Sequence, residues 1–153
     1  MNYHLSEHSK IETVVKKLMI IEECNAINYL ISTVMKKDFS ITSVKNSTDA
    51  MQHLRTDLER DLIILDISST ESDNFELLEH ISTSCVLNNI QRVVISDSDD
   101  EHLKNKATAL GASLFVTKPF DPLYLSEKVN ALVSLNEKSI VRKKKFSFNM
   151  NIF

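Results

Sequence analysis

Short apolar runs and amphipathic stretches alternate five times between Leu18 and Leu135. The first run, Leu18-Met19-Ile20-Ile21, ends in two acids, Glu22 and Glu23. From about Asn25 to Lys36, Ile27, Leu30, Ile31 and Val34 recur at helical spacing and mark one face of a helix. Ser40 to Val44 predicts a short strand. Ser47 to Leu58 predicts a second helix, with Ser47 or Thr48 as its cap. Leu62-Ile63-Ile64-Leu65 is again fully apolar and closes on Asp66. A polar loop, Ser68 to Asn74, leads into a helix predicted over Phe75 to Val86. Arg92 to Ile95 predicts a fourth strand. An acidic loop, Asp97 to Asp100, then precedes a helix over Glu101 to Leu110, and Ser113 to Thr117 predicts a fifth strand. Lys118-Pro119-Phe120 interrupts the chain, because a proline ring crowds helical geometry at the residue before it. Asp121 to Leu135 predicts the last helix, capped by Asp121 with Pro122 at the first position, where a missing N–H costs nothing.

The order is therefore strand then helix, five times over. Strands that are apolar on both faces and separated by helices imply a parallel sheet covered on both sides. Right-handed crossovers then give a doubly wound five-stranded α/β fold. Residues 17–135 form this unit. Residues 1–16 are an N-terminal extension, polar at first and weakly helical from Ile11. Residues 136–153 are a tail or linker carrying the basic run Arg142-Lys143-Lys144-Lys145 and then Phe146, Phe148 and Phe153.

Composition narrows the function classes. The 153 residues are 42% hydrophobic and 25% charged, as in an ordinary globular protein, and the net charge of −3 is too mild for nucleic-acid binding by the domain itself. Cys24 and Cys85 form no C-x-x-C pair and are expected to be reduced thiols. No apolar run approaches a membrane span, and the polar start, with Glu7, does not resemble a secretion signal; a cytoplasmic location is expected. Gly111 is the single glycine, which argues against a glycine-rich phosphate cradle.

The chemistry gathers where a doubly wound sheet places it, beyond the carboxyl ends of the strands. Strand one ends in Glu22 and Glu23, strand three in Asp66, strand four in Ser96 and strand five in Lys118. Carboxylates brought together repel, and a hard divalent cation relieves the repulsion. A metal beside a nucleophilic carboxylate suits phosphoryl transfer. Lys118 would hold a phosphoryl oxygen as a point charge, and Ser96 would donate to another.

These residues resemble the receiver domains of bacterial two-component response regulators. The resemblance runs from about Lys17 to Val133 and rests on Ile20-Ile21-Glu22-Glu23, Asp61-Leu62-Ile63-Ile64-Leu65-Asp66, Val94-Ile95-Ser96 and Ala109-Leu110-Gly111-Ala112 leading to Thr117-Lys118-Pro119-Phe120, at the family's separations. It implies a flavodoxin-like (βα)5 fold with strand order 2-1-3-4-5. It implies a signalling switch that takes a phosphoryl group on Asp66 from a histidine kinase or phosphotransfer protein and acts on a downstream output protein or domain, without a separate catalytic activity. By the same resemblance Glu22, Glu23, Asp66 and the Ser68 backbone carbonyl hold Mg2+ or Mn2+. Ser96 and Phe115 are the switch pair, Lys118 contacts the phosphoryl group, and Pro119 follows a cis bond.

This chain departs from the family at four places. Both members of the acidic pair are glutamate, where aspartate is usual. Thr70-Glu71 replaces a proline-glycine loop, Asn74 replaces a glycine, and Asp97 stands where a small residue is normal. These departures motivate the alternative of a degenerate receiver that works only as a protein-interaction module.

Overall fold

The computed structural model describes residues 15–135. The expected extension before residue 15 and the basic tail after residue 135 lie outside the described residues. The elements are β1 (Lys16–Ile21), α1 (Asn25–Met35), β2 (Phe39–Val44), α2 (Ser47–Thr56), β3 (Leu62–Asp66), α3 (Asp73–Thr83), β4 (Gln91–Ser96), α4 (Glu101–Ala109), β5 (Ala112–Thr117) and α5 (122–135). All strand pairings are parallel, in the order β2-β1-β3-β4-β5. This is the doubly wound fold that the alternating runs predict.

Alternation along the central strands explains why their sequences read as unbroken apolar runs. On β1 and β3, Leu18, Ile20, Leu62 and Ile64 pack on one side with Ile31 and Met35 of α1 and Leu125 and Val129 of α5. Met19, Ile21, Ile63 and Leu65 pack on the other with Leu54 of α2, Leu78 of α3 and Leu103 of α4. Both faces are covered, so every position must be apolar. Leu62 to Leu65 are all fully buried, and each such side chain contributes about 1.5–3 kcal/mol of transfer free energy.

Element boundaries moved where local hydrogen bonds compete with periodicity. Asn46, rather than Ser47 or Thr48, caps α2 by accepting from the Asp49 N–H at 2.9 Å. That helix ends at Thr56, short of the expected Leu58, because Asp57 turns to an extended conformation and its carboxylate takes Arg60 and Lys17. α3 starts at Asp73, before the expected Phe75, with Ser72 as its cap. It stops at Thr83 rather than Val86, where the Ser84 hydroxyl accepts from the N–H groups of Val86 and Leu87 and turns the chain. β1 includes Lys16, one residue before the expected domain start. Asp121 does accept from the Leu123 N–H at 2.9 Å, as expected of the α5 cap.

Candidate functional site

The register places the chemistry. β1 and β3 run side by side from Leu18↔Leu62 to Ile21↔Leu65, so Glu22 and Asp66 leave the sheet as neighbours. Asp66 is opposite Ile95, and Ser96 is opposite Thr117, which puts Ser96 and Lys118 next to them at the same sheet end. The Lys118 N–H donates to the Ser96 carbonyl at 2.7 Å, and the Lys118-Pro119 bond is cis, as the resemblance implies.

Three charged side chains meet there. Lys118 Nζ donates to Glu22 Oε1 at 2.7 Å and stands 3.2 Å from Asp66 Oδ1. The second contact is an ion pair without hydrogen-bond alignment: Asp66 Oδ1 is buried and accepts no hydrogen bond. Glu22 is only 1% exposed. Burial raises its carboxyl above the ordinary range; the Lys118 hydrogen bond opposes the rise, and the charge of Asp66 adds to it. Burial pulls the Lys118 ammonium down, but the bond to Glu22 and the charge of Asp66 outweigh it, and Lys118 ends above its usual value.

The remaining expected residues fall in two groups. Ser96 is fully buried at this sheet end, and its hydroxyl accepts from the Ser98 N–H at 3.1 Å. Phe115 is half-buried against the core on the α4 side, with Lys104 Nζ 5.8 Å from its ring centre. Glu23, Ser68 and Asp97 are exposed. Glu23 is thus not drawn into the buried group that Glu22 joins. Among the described residues, no three His, Cys, Asp or Glu side chains gather tightly enough to share one cation.

Two asparagines support the site that the sequence did not announce. Asn28 of α1 donates its amide to the Glu22 carbonyl at 3.1 Å. Asn74 of α3 donates to the Asp66 carbonyl at 2.6 Å. Each sits in the first turns of the helix following the strand whose end it binds; the sequence marks Asn74 only as a replacement for the family's glycine and gives no sign of the bond either side chain makes.

The family model of the response regulator receiver domain matches residues 18–130. The chain belongs to this family. Among curated proteins the receiver is 28% identical to the transcriptional regulatory protein KdpE of Staphylococcus aureus over 118 residues, covering 76% of this chain and 49% of that protein. It spans about half the length of the curated relatives it matches. A response regulator from Thermotoga maritima superposes with a TM-score of 0.70 at 24% identity, over 79% of this chain and 99% of the other. A CheY-like receiver domain from Methanospirillum hungatei JF-1 gives 0.74 at 17% identity, over 82% and 98%. At these identities the structural likeness speaks for the fold, and the family match carries the assignment to two-component signalling. No helix among the described residues is long and apolar enough to cross a membrane.

Proposed function

We propose that this receiver is a phosphorylation switch in which Asp66 accepts a phosphoryl group from the phosphohistidine of a histidine kinase or phosphotransfer protein. The observation that carries the reading is the placement of Asp66 Oδ1, buried at the sheet end and paired with the Lys118 ammonium 3.2 Å away. In the transfer, a carboxylate oxygen of Asp66 bonds to phosphorus, the P–N bond to imidazole breaks, and an acyl phosphate forms as the freed nitrogen keeps the electron pair. Lys118 is placed to neutralise a phosphoryl oxygen, and Ser96 keeps its own hydroxyl proton to donate.

The donor set fits a hard divalent cation. Glu22 and Asp66 bring carboxylate oxygens together, the Ser68 carbonyl is added by the family resemblance, and Mg2+ needs only one or two carboxylates beside waters and phosphate oxygens. Bound there, Mg2+ or Mn2+ would supply charge neutralisation for the phosphoryl oxygens. The receiver performs no other catalysis in this reading. Beside the site, an open, mostly apolar groove of about 320 Å3, lined by Ile27, Leu30, Lys118, Pro119 and Phe120, gives the phosphodonor protein a surface to meet. The signal then passes to an output protein or domain, with the receiver in the cytoplasm beside its kinase.

The test is incubation with Mg2+ and acetyl phosphate, read by intact mass. Wild type gains one phosphoryl group and Asp66→Asn gains none. An unchanged wild-type mass, or an equal gain on the variant, overturns the reading.

One observation favours a second reading. Lys118 binds Glu22 more closely than Asp66, and Glu23 stays outside the buried group. A receiver whose own ammonium neutralises Glu22 and Asp66 serves as a phosphorylation-independent interaction module. Metal titration separates the two: the module shows no saturable Mg2+ response at Asp66.

A further inference from the structure

Asn74 stands in the first turn of α3, yet its side chain reaches back to β3. Its amide Nδ2 donates to the backbone carbonyl of Asp66 at 2.6 Å, across eight residues, in a half-buried setting. The segment it closes is short of glycine and proline and holds its shape through side chains. Ser72 Oγ donates to the Ser69 carbonyl at 2.9 Å and accepts from the Phe75 N–H at 3.2 Å, and Ser69 Oγ accepts from the Glu71 N–H at 3.3 Å. On the strand side, the Ile67 N–H donates to the Ile95 carbonyl at 2.9 Å and holds the backbone from β4. The Asp66 carbonyl is where β3 leaves the sheet, and Asn74 supplies the donor that fixes it.

That carbonyl belongs to the residue whose side chain carries the buried oxygen paired with Lys118. It also lies two positions before Ser68. A shift of the Asp66 peptide moves the carboxylate and the Ser68 carbonyl together. Without a donor, the Asp66 carbonyl would also be free to turn toward the acid pocket and add to its negative field.

We propose that Asn74 is a positioning residue for phosphoryl transfer, whose amide fixes the Asp66 peptide and thereby holds the phosphoacceptor carboxylate in place. This rests on the reading of Asp66 as phosphoacceptor. Asn74 touches neither phosphoryl group nor metal and acts only through Asp66.

The experiment compares the wild-type chain with Asn74→Ala, Asn74→Asp and Asn74→Gln. Asn74→Asp keeps the shape, removes the donor and sets a carboxylate against a carbonyl. Asn74→Gln keeps the amide. Three readouts are taken: phosphorylation rate with acetyl phosphate at saturating Mg2+, thermal unfolding, and hydrogen exchange of amides 67–73 without metal or donor. Expected are a roughly ten- to hundredfold slower rate in the Ala and Asp variants, a ~1 Å misplacement of a reacting group costing about a hundredfold, faster exchange in that loop, and recovery of most of the rate in the Gln variant. If the Ala and Asp variants fold and react within about twofold of wild type, the proposal is overturned. Unchanged exchange overturns it as well, even where unfolding temperatures fall. Asp66→Asn runs alongside: a wild type that takes no phosphoryl group while Asn74→Ala still loosens the loop sinks the phosphoacceptor reading, whereas normal Asp66-dependent labelling in every Asn74 variant sinks this one.

Discussion

Lys118 lies 2.7 Å from Glu22 and 3.2 Å from Asp66, so one ammonium serves two carboxylates and is closer to Glu22 than to Asp66. Glu22 is almost wholly buried, and its carboxylate depends on that ammonium. Removing one partner of a buried pair strands the other charge, at about 3 kcal/mol or more. Lys118→Met should therefore lower the unfolding free energy by roughly 3 kcal/mol at pH 8 in metal-free buffer, measured by urea denaturation. The loss should shrink as pH falls and the stranded Glu22 takes up a proton.

The pH dependence of the wild type follows from the same residue. The Glu22 carboxyl is raised in the folded chain, so the folded state binds more protons than the unfolded one. Its contribution is complete below the ordinary carboxylate value of 4.5 and is lost as pH rises through the raised folded value. The difference in unfolding free energy between wild type and Glu22→Gln should decline over that window in metal-free buffer. A flat difference profile would mean that Glu22 is not held above its ordinary value.

The sheet was legible in the sequence because its central strands are buried on both faces. Leu62 to Leu65 can be nothing but apolar, and the acids that follow β1 and β3 mark where burial ends. Register then forces Glu22, Asp66, Ser96 and Lys118 to one end, so their meeting could be expected from strand order alone. What could not be read is which of two adjacent glutamates turns inward. Glu22 is buried and Glu23 exposed, a choice made by successive side chains pointing to opposite sides as the strand ends. Nor does spacing disclose that an asparagine eight residues downstream reaches back to the Asp66 carbonyl, or that Asn46 outcompetes Ser47 as a cap. Those outcomes depend on single hydrogen bonds of about 1 kcal/mol, which leave no periodic trace.

Ser96 gives a prediction about coupling. Its hydroxyl accepts from the Ser98 N–H at the start of the loop into α4. Moving it toward a phosphoryl group on Asp66 means giving up that bond, at about 1 kcal/mol. Allosteric couplings of about 1–3 kcal/mol are of the same size, so the exchange is affordable and reversible. Ser96→Ala should still gain a phosphoryl group from acetyl phosphate, while the phosphorylation-induced change in hydrogen exchange of α4 (Glu101–Ala109) largely disappears. An unaltered α4 response would remove Ser96 from the switch.

Gly111 is required by its conformation and by its neighbour. Its φ is +89°, between α4 and β5, where side chains other than glycine are strained. A Cβ there would also run into the Arg92 guanidinium, which donates to the Gly111 and Asn88 carbonyls, each at 3.3 Å. Gly111→Ala should cost about 1–3 kcal/mol in unfolding free energy. In an Arg92→Ala background the clash is gone and only the backbone strain remains, so the same substitution should cost less. Equal costs in the two backgrounds would show that the guanidinium simply moves aside.

A second charge cluster lies at the opposite end of the sheet, where β1 and β3 begin. The Asp57 carboxyl is lowered to about 2, chiefly by the Arg60 guanidinium 2.8 Å away, then by the Glu59 N–H and by Lys17. The Lys17 N–H also donates to Asp61 Oδ2 at 2.8 Å, so this cluster fastens the turn before β3 to β1. A lowered folded value means that the unfolded chain binds more protons. The stabilisation is complete above the ordinary aspartate value of 3.8 and is lost as pH falls toward about 2. Asp57→Asn should remove that part of the acid dependence and leave a flatter stability profile between those limits. The Arg60 side chain is only 5% exposed whereas that of Lys17 is 38% exposed, so moderate salt should weaken the Lys17 contribution and spare that of Arg60. Because the cluster sits at the far end of β3 from Asp66, the Asp57→Asn variant should accept a phosphoryl group at the wild-type rate near neutral pH. A slower rate in a variant of unchanged neutral-pH stability would mean that the anchoring of β3 at its start sets the position of Asp66 at its end.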